Sequence, residues 1–246
     1  SFKGQSNLDG RERPVVVNVC NFPAPDGDAP ALLSFENVTT LFHEFGHAMH
    51  GILTNVTYGS MAGTSGPRDF TEFPAQILEH WAGEPEILKS FATHYKTGEV
   101  IPDELIEKVL KASKFNQGFA NTEYLAASLL DMDWHTLKAD EEIKDAAAFE
   151  AAALTKIGLI SEIAPRYRST YFSHIFAGGY ASGYYSYVHS AVLDSDGFEA
   201  FQEAGDVFDP TLAAKLRTHV YEKGSTEEAK EQNYQNRAKK TKIDAI

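Results

Sequence analysis

The chain has 246 residues, of which 43% are hydrophobic and 12% aromatic, so it is not a disordered protein and can bury a core. Its formal net charge of −13 argues against nucleic acid or an anionic membrane as a partner. The lone cysteine, Cys20, excludes an internal disulfide framework, and no apolar run reaches the roughly 18 residues that span a bilayer. No signal peptide opens the chain, so we expect a cytoplasmic protein, and the start at Ser1 suggests processing or a part of something longer.

The N-terminal region is predicted to hold one strand between two loops. Residues 1–13 are polar, and residues 21–34 are rich in proline, which predicts loops. The run 14–20 is short and rich in valine, which favours a strand. An exposed edge of that strand could support self-association.

From Glu36 onward the pattern becomes helical, because apolar residues recur at spacings of three and four. After a loop at 54–68, Asp69 is a plausible N-cap of a helix that runs to Trp81. Pro74 is tolerated only in a first turn, so Glu72 should lie at the helix start. Further helices are predicted near residues 86–97, 102–120, 122–139, 146–155, 160–173, 180–194, 197–204, 210–222 and 226–240. The last of them is expected to end in solvent with its basic residues, Arg237, Lys239, Lys240 and Lys242.

The segment from His43 to His47 matches the pattern H-E-x-x-H. On a helix, positions i and i+4 share a face, so both imidazoles can reach one zinc ion. Glu44 could then act as the base that takes a proton from the attacking water. The simpler alternative is a helix with two surface histidines and an acid.

A catalytic zinc site needs a third protein ligand. No histidine follows His47 at the spacing of the x-x-G-x-x-H continuation, because His50 comes too soon. The ligand should therefore be a carboxylate from a following helix, and the candidates are Asp69, Glu72, Glu79 and Glu84. Glu72 is favoured because it opens a helix. Glu79 could instead accept a hydrogen bond from a ligand imidazole, although a surface acid is an equal alternative.

A second group of candidate residues lies near three glycines, Gly178, Gly179 and Gly183. Three phenols, Tyr180, Tyr184 and Tyr187, follow one helical stripe at i, i+4 and i+7. Such a stripe is usually core. Phenol hydroxyls are, however, also suitable donors for the oxyanion that forms at a peptide carbonyl.

Three blocks of this sequence resemble the thimet oligopeptidase and peptidyl-dipeptidase family of zinc metallopeptidases. They are residues 38–50 around H-E-x-x-H, residues 67–76 around Glu72, and residues 165–187 around the tyrosines. The third block is most similar to the bacterial dipeptidyl carboxypeptidases. The resemblance implies a mainly α fold with a gluzincin site and a small N-terminal β element, organised as one catalytic domain over residues 1–246.

The resemblance also implies roles for individual residues. One Zn²⁺ would be held by His43, His47 and Glu72, which is 29 residues after His43, with Glu44 as the catalytic base. Tyr180, Tyr187 and His174 would contact the scissile carbonyl or the tetrahedral intermediate. Tyr184, Gly178 and Gly179 would line the substrate site, the glycines as part of a mobile loop. Arg166 and Arg168 could bind a peptide carboxylate, but structural pairing with acids is at least as plausible.

Members of this family are longer, and their helical N-terminal part forms one wall of a channel that admits short peptides. That part is not among these residues. The expected substrate is an oligopeptide, cleaved in the peptidyl-dipeptidase manner. Two alternatives stay open: a folded zinc-binding fragment with little activity, and an open-cleft endopeptidase of broader size range.

Overall fold

The structure is a computed structural model and describes residues 1–28 and 30–241. It is mainly helical, as predicted, and it divides into unit 1, residues 1–113 and from 190 onward, and unit 2, residues 114–189. Among the described residues, no helix combines the length and the apolar character that crossing a bilayer requires. The α-helices are α1 Phe35–Leu53, α2 Arg68–Thr71, α3 Phe73–Ala82, α4 Pro85–Phe91, α5 Asp103–Ala112, α6 Gln117–His135, α7 Ala146–Lys156, α8 Ser173–Phe176, α9 Ser186–Ala204, α10 Pro210–Leu216 and α11 Ala229–Arg237.

The core of unit 1 forms around α3, whose apolar residues meet the C-terminal helices. Met49 and Leu53 of α1 pack against this core from one side. Gly197 belongs to the same contact, because a Cβ there would lie 2.9 Å from Ile77 and 3.3 Å from Phe73. The core residues are Phe70, Phe73, Ile77, Leu193, Phe198, Leu216, Val220 and Tyr221.

Unit 2 has a separate core that is rich in aromatic rings. Ala127 of α6 packs against Phe172, Ile175 and Tyr184, and further aromatic side chains surround these four residues. The partly buried members of this cluster are Tyr124, Trp134, Tyr167, Tyr180 and Tyr187. A chain region of this size that buries so many rings has an apolar interior of its own.

The predicted strand at 14–20 is wrong: the described residues hold no strand there. Only two isolated bridges join this region, Lys3 with Val15 and Ser6 with Glu12. Val17 and Val19 are more than half exposed, because no neighbouring strand in the described part of the chain covers them. Self-association stays a prediction, now without a strand edge to carry it.

Several predicted helix boundaries differ from the observed ones for local reasons. The predicted helix at 160–173 is wrong apart from a 3₁₀ turn, Ser169–Tyr171, because Pro165 disfavours helical backbone before it. The helix predicted at 102–120 is broken near Asn116, which has a positive φ of 60°. The two helices predicted at 180–194 and 197–204 are a single helix, α9.

The C-terminal helix was expected to end in solvent, but Arg237 is buried. Its guanidinium donates to Asp196 at 3.0 Å, to Glu199 at 2.8 Å and to Glu203 at 2.8 Å. Three carboxylates on α9 therefore compensate the burial of this charge and fix α11 against α9. Lys242, the last of the basic residues, lies outside the described part of the chain.

Candidate functional site

The helix that carries His43 and His47 is well defined at its start. Ser34 caps α1 by accepting a hydrogen bond from the backbone N–H of Asn37, and the Asn37 side chain accepts one from Ser34 in return. This capping box fixes the first turn of α1. The spacing of four residues then places both imidazoles on one face of the helix.

Gly46 lets α1 lie against α3 almost without a gap. A Cβ at this position would lie 2.6 Å from the Cα of Ala75 and 2.6 Å from the carbonyl oxygen of Pro74. Both are backbone atoms, which cannot move aside as a side chain could. The glycine of the H-E-F-G-H segment is therefore required by the helix crossing, and the crossing brings the start of α3 beside the histidines.

Glu72 lies at the junction between α2 and α3, which the sequence predicted only in part. One helix was expected from Asp69 to Trp81, but the structure has two, and Glu72 is the last residue before α3. Pro67, rather than Asp69, stands at the N-cap of α2. Pro74 lies in the first turn of α3, as predicted, and the Glu72 side chain is only 1% exposed.

Three donor atoms converge at this crossing. Oε2 of Glu72 lies 3.2 Å from Nε2 of His43 and 3.2 Å from Nε2 of His47, and one ligand atom from each residue lies within 4.8 Å of the others. Zinc binds nitrogen and oxygen ligands at about 2.0–2.1 Å in a tetrahedron, whose edges are then roughly 3.3 Å long. Two edges of the observed triangle already have nearly this length, so the donor set fits zinc.

Glu79 lies on α3 about two turns after Glu72 and contacts the site from there. Its Oε1 lies 2.6 Å from Nδ1 of His43, so the predicted hydrogen bond to this imidazole is observed, and the role of His43 as a metal ligand stays a prediction. When Nδ1–H donates to Glu79, the Nε2 lone pair of His43 is available to a metal ion.

The two carboxylates also set the charge at His43. Burial disfavours the imidazolium, but the hydrogen bonds to Glu72 and Glu79 outweigh burial and raise the pKa of His43 to about 10. The two carboxylates therefore stabilise a positive charge at His43, either a proton on the ring or a metal ion bound to it. Glu44, the predicted base, follows His43 on α1 and is partly exposed, so water can reach its carboxylate.

The side chain of Phe45, inside the H-E-F-G-H segment, is 49% exposed within the described part of the chain. The buried residues of α1 are Gly46, Ala48 and His50. At Gly46 the α1–α3 contact leaves no room for a side chain.

In unit 2, the predicted tyrosines lie in what we call the tyrosine segment, residues 177–187. The rings of Tyr180 and Tyr187 are stacked with centroids 5.3 Å apart. His174 lies beside both of them, with centroid distances of 5.9 and 6.2 Å. The structure therefore brings together the three unit 2 residues that the resemblance assigns to the carbonyl.

Tyr184 differs from the other two tyrosines. It is 1% exposed and belongs to the unit 2 core, where its ring meets Phe172 edge to face at 4.8 Å. Burial raises the pKa of its phenol above the usual range. These observations favour a packing role, and substrate contact by Tyr184 stays a prediction.

The predicted helical stripe does not extend over the tyrosine segment. Residues 181–185 are turns, and α9 begins only at Ser186. Gly179 has a positive φ of 80°, and a Cβ on Gly178 would lie 3.0 Å from the Cα and the carbonyl oxygen of His174. Both glycines are therefore needed for this backbone path.

The arginines of the third block have acidic partners. Arg166 donates to Glu123 at 3.1 Å and lies 4.6 Å from the ring of Tyr124. Arg168 donates to Glu150 at 2.7 Å. Of the two alternatives for these arginines, structural pairing is the one observed.

Comparisons with known proteins agree with these blocks. The profile of Peptidase family M3 matches residues 1–246. The dipeptidyl carboxypeptidase of Escherichia coli (strain K12) is 43% identical over 244 residues, which are 99% of this chain and 36% of that protein. Oligopeptidase A of Haemophilus influenzae is 36% identical over 241 residues, 97% of this chain and 35% of that protein. The thimet-like oligopeptidase of Dictyostelium discoideum is 32% identical over 231 residues, 93% of this chain and 34% of that protein.

The chain thus spans about a third of the length of the curated relatives it matches. The family profile covers all three blocks, including the donor triangle and the tyrosine segment. The resemblance that the sequence indicated is confirmed, and the chain belongs to peptidase family M3.

Proposed function

We propose that this chain carries a zinc-dependent peptidase site that hydrolyses peptide bonds in short oligopeptides. The observation that carries the proposal is the triangle of donor atoms from His43, His47 and Glu72, with 3.2 Å between Glu72 and each histidine. The names of the relatives, a dipeptidyl carboxypeptidase and two oligopeptidases, support the substrate class.

In this proposal His43, His47 and Glu72 hold the metal ion. A bound zinc supplies Lewis acidity, which polarises the scissile carbonyl and lowers the pKa of water. Glu44 accepts the proton of the attacking water and delivers it to the leaving amine. Glu79 keeps the His43 ring in orientation through its 2.6 Å contact with Nδ1.

The family resemblance gives further proposed roles to residues of unit 2. Tyr180 and Tyr187 donate hydrogen bonds to the carbonyl oxygen as negative charge develops there, and His174 contacts the same part of the substrate. Gly178 and Gly179 give the loop its freedom to close on the peptide. The family resemblance and the side-by-side packing of these three rings support the assignment.

Replacing Glu44 by Gln tests this function. Glu44→Gln should lower kcat toward short fluorogenic peptides by about 10³-fold while zinc content is unchanged, because only the proton transfer is lost. Glu36→Gln is the matched control, since Glu36 is an exposed acid in the first turn of the same helix. Normal turnover by Glu44→Gln, or turnover by the parent protein that a chelator leaves intact, contradicts the proposal.

The mode of cleavage needs a separate comparison. We propose removal of C-terminal dipeptides, so a peptide with a free C-terminus should be cut, and its C-terminally amidated twin should not. Equal cleavage of both, together with cleavage of casein, supports the open-cleft endopeptidase instead. Zinc binding without turnover of any peptide supports the fragment with little activity. The cytoplasmic location stays a prediction.

A further inference from the structure

A buried carboxylate in unit 2 is bonded to the backbone of the tyrosine segment. Asp131 of α6 is fully buried. Its Oδ1 accepts a hydrogen bond from the N–H of Ser182 at 3.0 Å, and its Oδ2 accepts one from the N–H of Tyr184 at 2.9 Å. His135, one turn later on α6, lies with Nδ1 2.8 Å from Oδ1.

These bonds fix a piece of backbone that has an unusual conformation at Ser182. Ser182 has a positive φ of 53°, which disfavours a residue with a side chain. The other backbone bonds of this stretch are short-range turns, such as Gly183 N–H to the Tyr180 carbonyl at 2.8 Å. Asp131 is 51 residues away from Ser182 in the sequence, so it ties the turns to α6 rather than to their own neighbours.

The anchor lies between the two stacked phenols in the sequence. Tyr180 precedes Ser182 by two residues, and Tyr187 follows Tyr184 by three. At the other end of the segment, Gly178 packs against the backbone of His174, and Gly179 has a positive φ of 80°. The bonds to Asp131 therefore hold the part of the segment that lies between Tyr180 and Tyr187.

We propose that Asp131 is a positioning residue that holds the tyrosine segment so that the Tyr180 and Tyr187 hydroxyls act on the substrate carbonyl. This inference rests on the proposed function. A carboxylate is suited to the task because it accepts from two backbone donors at once and offers no donor of its own. In an asparagine at this position, one of the two carboxylate oxygens is replaced by an NH2 group. That group is a donor, so it would face a backbone N–H without accepting a hydrogen bond from it.

Asp131→Asn tests the proposal, with Glu150→Gln as the matched control. Glu150 is also a buried carboxylate of unit 2, and it accepts from the Ser169 N–H at 2.7 Å and from Arg168 at 2.7 Å, outside the tyrosine segment. We expect Asp131→Asn to lower kcat about tenfold with a KM changed less than about threefold, because the loss falls on the transition state. Glu150→Gln should change kcat less than about twofold at similar thermal stability.

A coupling measurement separates positioning from general destabilisation. In a Tyr180→Phe, Tyr187→Phe background, Asp131→Asn should lower kcat less than about twofold further, because it acts through hydroxyls that are already absent. An undiminished tenfold effect in that background overturns the proposal. So does an equal loss of activity in Glu150→Gln.

Hydrogen exchange gives a readout that does not depend on activity. Asp131→Asn should speed exchange at the Ser182 and Tyr184 amides by at least tenfold, with the α7 amides unchanged. Unchanged protection of these two amides overturns the inference, even if the peptidase function is established. If the parent protein has no peptidase activity but Asp131→Asn still loses protection at these amides, the anchor exists and the proposed function fails.

A second variant serves if Asp131→Asn does not fold. In Ser182→Gly, glycine tolerates the positive φ and Asp131 is intact, so both amides should stay protected if the carboxylate holds them. Loss of their protection in Ser182→Gly contradicts the anchor.

Discussion

The candidate metal centre in unit 1 and the tyrosine segment in unit 2 are held in place by different kinds of structure. In the metal centre, the donors come from α1 and from the junction at the start of α3, and the two backbones are in contact at Gly46. In the tyrosine segment, the backbone between α8 and α9 makes turns, and a buried carboxylate of α6 holds it. The first region is placed by helix geometry, and the second by a few long-range hydrogen bonds.

This difference bears on what a substitution in each region should change. Packed helices keep donor atoms at fixed distances, which suits metal ligands that must stay within a few tenths of an ångström. The tyrosine segment is held by hydrogen bonds to Asp131, and its closing on a peptide stays part of the proposed function. Changes in unit 1 should therefore appear as changes in metal affinity, and changes at Asp131 as changes in catalytic rate.

Among substitutions at residues that are not proposed ligands, the largest effect on zinc affinity is expected from Gly46→Ala. The new Cβ would meet two backbone atoms at 2.6 Å, so α1 and α3 must separate and the donor triangle must widen. We expect zinc affinity to fall by at least about 100-fold, measured by competition with a chromophoric chelator. Gly118→Ala on α6 is the control, because a Cβ there meets nothing within 4 Å. Unchanged zinc affinity in Gly46→Ala would show that the crossing does not set the site.

A smaller effect is expected from Glu79→Gln. The glutamine can still accept from Nδ1 of His43, but the negative charge that favours a cation at this ring is lost. Zinc affinity should fall by about 10-fold to 100-fold, as for other partners of metal-ligating histidines. The same chelator competition measures it, with Glu86→Gln, an exposed acid in the first turn of α4, as control. Equal affinity in Glu79→Gln and the parent protein would contradict the orienting role.

The same contrast explains how much the sequence could predict. The spacing of His43 and His47 predicts a shared face because the helix period is fixed, and Pro74 limits where α3 can begin. The family motif then selects Glu72 from the downstream acids. All three residues are brought together in the structure.

What could not be predicted depends on contacts between distant parts of the chain. Nothing near Asp131 in the sequence indicates that its carboxylate meets amides 51 and 53 residues later. The run at 14–20 has the composition of a strand, but a strand also needs neighbours to bury its faces. The pairing of His80 with Asp194 at 2.6 Å likewise joins residues that are 114 positions apart in the sequence.

The most direct test of the central claim is a zinc titration of the parent protein and of Glu72→Ala. The account predicts one zinc per parent chain and a loss of affinity of at least about 10³-fold in Glu72→Ala, because the third ligand is gone. Glu84→Ala, which removes another acid that the sequence offered as a ligand, should bind zinc normally. Tight binding of one zinc by Glu72→Ala, or no zinc binding by the parent protein, would contradict the account.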